Sequence, residues 1–103
     1  MENFISIIIP TYNRSIKLKK AIESILNQKY QNYEIIVVDN NSNDETEKIV
    51  QNFKSPKIFF YKIKNKGIIA TSRNYGISKS NGKYIAFLDS DDWWTKDKLS
   101  QTN

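Results

Sequence analysis

Apolar residues recur along this chain in two rhythms. Short β-branched blocks alternate with longer stretches in which every third or fourth residue is apolar. Ile5 to Pro10 (ISIIIP) is a compact apolar run stopped by proline and predicts a buried strand. Leu18, Ala21, Ile22, Ile25 and Leu26 then fall at helical spacing, one stripe of a helix over about Ser15 to Gln28. A second strand, Glu34 to Val38 (EIIVV), is closed by Asp39. Ser42 followed three residues later by Glu45 predicts a capping box, and Thr46, Ile49, Val50 and Phe53 continue a second helical stripe. A third strand is expected over about Lys57 to Lys62, and a third helix over about Ile68 to Lys79, ending before an Asn81-Gly82 turn. Tyr84 to Leu88 (YIAFL) supplies a fourth strand.

The order is β-α-β-α-β-α-β. Strands apolar on both faces and separated by amphipathic helices imply an α/β fold: a mostly parallel sheet with helices on both faces and right-handed crossovers. Such sheets bind ligands outside the carboxyl ends of their strands, where the strand order reverses. Three apolar blocks here release polar residues at that edge: Thr11-Tyr12-Asn13-Arg14, Asp39-Asn40-Asn41-Ser42 and Asp89-Ser90-Asp91-Asp92.

Composition narrows the chemistry. At 103 residues the chain fits one domain with a single core. It has no cysteine and no histidine, which removes disulfides, thiolate and imidazole metal sites, and any triad with a histidine base. Carboxylates, Lys, Arg, Tyr and hydroxyls remain. The net charge of +5 is uneven: residues 1 to 52 are net −1, and residues 53 to 103 are net +6. That excess suits phosphates, nucleic acid or an anionic membrane face, and equally a solubilising lysine surface. Glu2 stands where a signal peptide would carry basic residues, and no apolar run approaches a membrane span, so a cytoplasmic location is the expectation.

Against this basic background, FLDSDD (Phe87 to Asp92) places three carboxylates within four positions. Like charges so close repel unless a cation compensates them. Asp89 and Asp91 are two apart, so an extended backbone points both to one side, and two hard oxygen ligands suit Mg²⁺ or Mn²⁺. Two carboxylates do not cage such an ion, and an open site predicts a phosphate-bearing substrate. The same residues could instead cap the segment that follows. Tyr12 could stack on a planar base or pack on the core; Asp39 could accept from a base or ribose, or cap its loop. Arg73 shares a helix face with Ile69 and Ile77, so it is expected to point toward the sheet, paired with a substrate diphosphate or a cleft carboxylate. Trp93 and Trp94 are expected to cover the end of the core, with stacking on a sugar as the lesser reading.

The stretches ISIIIPTYNR, YEIIVVDNNSNDET, RNYGI and GKYIAFLDSDDWW together resemble the N-terminal half of family 2 glycosyltransferases. The resemblance implies the nucleotide-diphospho-sugar transferase (GT-A) fold, cut after the strand that bears the DxD motif. By similarity, Thr11 and Tyr12 would line the nucleotide-base pocket, Asp39 would hydrogen-bond the base, commonly uracil, and Arg73 would lie near the base and diphosphate. Asp89-Ser90-Asp91 matches the DxD motif. Its last Asp would ligate a divalent metal, Mn²⁺ or Mg²⁺; Asp89 would approach ribose or metal, and Ser90 and Asp92 would adjoin them in the donor site. The implied activity is metal-assisted transfer of a sugar from a nucleotide-diphosphate sugar, UDP-linked by expectation, to a glycan or lipid-linked acceptor, in bacterial surface polysaccharide or glycolipid synthesis. Peripheral contact with the inner membrane face is a further expectation, and nucleic acid is not an expected partner. Family members continue past the motif into a half that carries acceptor contacts and, in inverting enzymes, the general base; no residue here takes that role. The chain is therefore expected to hold the donor with little or no turnover, to act alternatively as a non-catalytic metal and nucleotide-diphosphate module, and to self-associate through an open edge at its fourth strand. A phosphoacceptor domain would want paired acids after the first strand, where TYNR has none, and a P-loop nucleotidase lacks its GxxxxGK[ST].

Overall fold

The computed structural model describes residues 3–64 and 69–89. Seven elements follow in the expected order: β1 (Ile5–Thr11), α1 (Ser15–Leu26), β2 (Tyr33–Asp39), α2 (Thr46–Asn52), β3 (Ile58–Lys62), α3 (Ile69–Lys79) and β4 (Tyr84–Phe87). All strand pairs are parallel, in the order β3-β2-β1-β4. The chain steps outward from β1 through β2 to β3 and then returns to the other side of β1. The order thus reverses between β1 and β4.

Side chains alternate between two cores. On one face Ile5, Ile7 and Ile9 of β1 and Tyr33, Ile35 and Val37 of β2 pack with Leu18, Ala21, Ile22 and Ile25 of α1 and Val50 of α2. Ile8, Ile36 and Val38 form the core of the other face, with Tyr61, Ile63 and Tyr75 against it, under α3. Each fully buried isoleucine removes enough apolar surface from water to stabilise the fold by roughly 1.5–3 kcal/mol. Gly76 lets α3 lie on β1, because a Cβ there would come within 2.6 Å of Ile8 Cγ2.

Four expectations are corrected. Strand burial is complete only in the middle of the sheet: β1 and β2 are buried throughout, while β3 and β4, at its edges, are partly exposed. Pro10 does not stop β1 but lies within it, paired with Val38. Alternate β1 residues turn to β4, as the Leu88 N–H bond to the Ile8 carbonyl shows (3.1 Å). Pro10 falls on that side, beyond the last β1–β4 pair at Ile8 and Phe87, where its missing N–H leaves no ladder bond broken. The Ser42–Glu45 capping box does not form. The helix instead starts at Thr46, whose N–H donates to Asp44 Oδ1 at 3.0 Å, and Ser42 turns to Asp39. Finally, the line Ile69-Arg73-Ile77 is not the inward face of α3. Ser72 and Gly76 are buried, whereas Ile69 and Ile77 are 58% and 40% exposed.

Candidate functional site

Three of the four strands deliver their predicted residues to one edge. Thr11 ends β1 and Asp39 ends β2, directly paired in register. Asp89 follows β4 on the other side of β1. Two strand spacings, about 10 Å, separate the Asp39 and Asp89 positions across the sheet. The β1–β4 ladder would next need a bond from the N–H of residue 10, and proline cannot give it. The strand order reverses between β1 and β4, the place where sheets of this kind take ligands.

On the β2 side the walls are two loops bound to each other. Asp39 is buried, and its carboxylate accepts from Ser42 twice, from the backbone N–H at 2.9 Å and from the hydroxyl. That hydroxyl also accepts the Asn13 N–H at 2.8 Å, and Asn13 Oδ1 accepts the Asn43 N–H at 2.8 Å. Asn13 and Asn41 hold left-handed backbone (φ 48 and 53), which asparagine tolerates better than most residues. Asp44 accepts from the Ser15 N–H at 3.2 Å and so joins the α2 loop to the first turn of α1. Partial burial alone would raise the Asp44 carboxyl. The bonds from Thr46 and Ser15 outweigh it and hold the group below its ordinary value of 3.8.

Between these anchors Tyr12 stands half exposed, its ring free of the core. The hydroxyl of the preceding residue, Thr11, is buried and has no hydrogen-bond partner among the described residues. Such a group costs about 1–3 kcal/mol while unpaired, so it marks a position where a ligand or a small rearrangement would be rewarded.

On the β4 side Arg73 leans out from α3. Its guanidinium donates to Asp89 Oδ1 at 3.3 Å, lies 5.4 Å from the centre of the Phe87 ring, and keeps Nε without a partner among the described residues. Both side chains of the pair are substantially exposed, 42% for Arg73 and 61% for Asp89, so solvent weakens their attraction. An exposed carboxylate beside an arginine at the carboxyl edge of the sheet can exchange partners when an anion or a cation arrives. Asp89 offers the hard oxygen that Mg²⁺ or Mn²⁺ takes; no cluster of three acidic metal-binding side chains occurs among the described residues. Ser90, Asp91, Asp92, Trp93 and Trp94 lie outside the described residues. Sequence reasoning missed the stitching of the two loops, in which Asn13, Ser42, Asn43 and Asp44 take part; the signal was the density of Asn, Asp and Ser after β1 and β2.

Comparison with known proteins bears on the family and the fold. The family model described as glycosyl transferase family 2 matches residues 6–102. An uncharacterized glycosyltransferase of Haemophilus influenzae is 46% identical over 101 residues, which cover 94% of this chain and 40% of that protein. The UDP-Glc:alpha-D-GlcNAc-diphosphoundecaprenol beta-1,3-glucosyltransferase WfaP of Escherichia coli is 41% identical over 96 residues, covering 93% of this chain and 38% of WfaP. Among solved structures, S. aureus TarS 1-349 in complex with UDP-GlcNAc superposes with a TM-score of 0.90 at 28% identity, over 95% of this chain and 29% of that one. The chain spans between 14% and 40% of the length of the curated relatives it matches.

Proposed function

The chain belongs to glycosyl transferase family 2 and has the GT-A fold, and on that premise we propose that it is the donor-binding part of a glycosyltransferase that takes a UDP-linked sugar. The observation that carries this reading is the switch point between β1 and β4, where the strand order reverses. It sets a half-exposed tyrosine, a spare buried hydroxyl and a buried carboxylate on one side, and the Arg73–Asp89 pair on the other. A flat, hydrogen-bonding base suits the first group and a diphosphate suits the second. The division matches the two ends of a nucleoside diphosphate.

In this reading the base lies on Tyr12 and bonds to Asp39 through lone pairs that Ser42 leaves open, with Thr11 at the floor. Arg73 exchanges part of its pairing with Asp89 for a phosphate oxygen, a charge-assisted bond of the kind guanidinium forms well. Asp91 and Asp89 would hold the divalent cation, Mn²⁺ or Mg²⁺, with Ser90 beside them. That ion would neutralise charge on the departing nucleoside diphosphate. Arg73 adds to that stabilisation. The acceptor is proposed to be a glycan or lipid-linked sugar, the class named for WfaP. Transfer, acceptor choice and the general base are assigned to a longer protein. No described helix is long and apolar enough to cross a membrane.

Competition for a bound fluorescent uridine nucleotide tests the donor class. UDP-glucose and UDP-GlcNAc are expected to displace it at least tenfold better than GDP-mannose, and equal displacement by all three would refute a uridine pocket. The edge of β4, beyond which no strand pairs among the described residues, is proposed to associate with a second copy. Light scattering should then show dimers, and a monomer at high concentration would exclude it.

A further inference from the structure

Asn13 and Ser42 lie outside the base-contacting set, yet side-chain hydrogen bonds that tie the Tyr12 loop to the Asp39 loop run through them. The Ser42 hydroxyl has one proton and two lone pairs. It gives the proton to Asp39 and accepts the backbone N–H of Asn13, the residue directly after Tyr12. Asn13 answers with its side chain, which accepts the Asn43 N–H at 2.8 Å. On the other side of Tyr12, the Thr11 carbonyl accepts the Asn40 N–H at 2.9 Å. The backbone on both sides of the tyrosine is thus tied to the loop that bears the aspartate. The ring itself is left exposed.

We propose that Asn13 and Ser42 are positioning residues for the nucleobase, fixing the Tyr12 ring and the Asp39 carboxylate at one separation so that the base end of the pocket is formed before the nucleotide arrives. The assignment rests on the base-pocket reading given above. It adds that affinity for the base depends on two residues that never touch it. Preorganisation of this kind raises affinity by lowering the ordering cost paid on binding. Ser42→Ala removes the donor to Asp39 and the acceptor for Asn13 together. Ser42→Thr keeps a hydroxyl. Asn13→Gly accepts the left-handed backbone and removes only the tie to Asn43.

The experiment compares two ligands on the 103-residue chain, both with Mn²⁺: UDP, and inorganic pyrophosphate, which has no base. Thermal unfolding of each variant is followed alongside, and titrations are made at a temperature where all are folded. Ser42→Ala is expected to weaken UDP about tenfold, the scale of one to two hydrogen bonds to a charged group, and to leave pyrophosphate within twofold. Asn13→Gly should weaken UDP about threefold with the same selectivity, and Ser42→Thr should recover most of the loss. If UDP and pyrophosphate weaken in parallel, or if UDP is unaffected while the melting temperature falls, the two residues serve only the fold and the proposal is overturned. If the unmodified chain binds UDP no better than pyrophosphate, the base pocket itself is refuted, and this assignment with it.

Discussion

Arg73 lies on α3 in line with Ile69 and Ile77, and that line faces outward. The pattern suggested the opposite because isoleucines four apart on either side of an arginine look like a buried stripe. Helix packing on a sheet is decided by which side chains let the backbone approach, and here Gly76 and Ser72 do so. Gly76→Ala should therefore drive a methyl into Ile8 and destabilise the fold by about 1–3 kcal/mol. Thermal unfolding would register this as a drop of several degrees, and an unchanged melting temperature would mean that α3 can slide. Asp44 gives a prediction in pH. Its folded value is lowered, so its contribution to stability is complete above the unfolded value and disappears as pH falls through the lower folded one. Asp44→Asn should flatten that part of the acid limb in denaturant titrations, and Asp44→Ala, which removes the acceptor of the Thr46 and Ser15 N–H groups, should cost about 1 kcal/mol at neutral pH.

At the level of elements, the alternation of apolar blocks and helical stripes was enough to place all seven elements in order, because each block could be buried only as a strand or as one face of a helix. What the pattern did not show was which strands would stand at the sheet's edges. YIAFL looks as apolar as EIIVV, yet β4 is mostly exposed and β2 is buried throughout. Strand order is a property of crossovers, and composition does not record it. A second feature hidden from sequence is the lower end of the sheet, where Glu34 is buried. Its Oε2 accepts from the Ser6 hydroxyl at 2.6 Å and from the Asn81 N–H at 2.7 Å, while Ser6 Oγ accepts from the Gly82 N–H at 2.8 Å. Gly82 is needed there because a Cβ would sit 2.6 Å from Ser6 N and Oγ. This clip sets the entry of β4 and, five residues on, the position of Asp89. Glu34→Ala would leave the Ser6 hydroxyl and the Asn81 N–H without an acceptor, at a cost of about 1–3 kcal/mol. Hydrogen exchange should show β4 opening before β1 and β2 in that variant; uniform loss of protection would mean that the clip does not act on β4.

For the whole molecule, the positions at the switch point were legible in the sequence because polar clusters followed three apolar blocks. Thr11, Tyr12, Asp39 and Asp89 do reach one edge. Their connections were not legible, since a hydrogen bond between Asn13 and Ser42 spans 29 positions and depends on two loop conformations at once. The absence of histidine and cysteine left carboxylates as the natural metal ligands in a chain of net charge +5, which is why FLDSDD stood out. The central claim is that this stretch holds a divalent cation and that the cation holds a nucleoside diphosphate at the switch point. Calorimetric titration of UDP into the purified chain, with and without Mn²⁺ and with Asp91→Asn as control, tests it most directly. The account predicts binding that requires Mn²⁺ and is lost in Asp91→Asn while the melting temperature is kept. Binding that ignores both the metal and the substitution, or no binding at all, would contradict it.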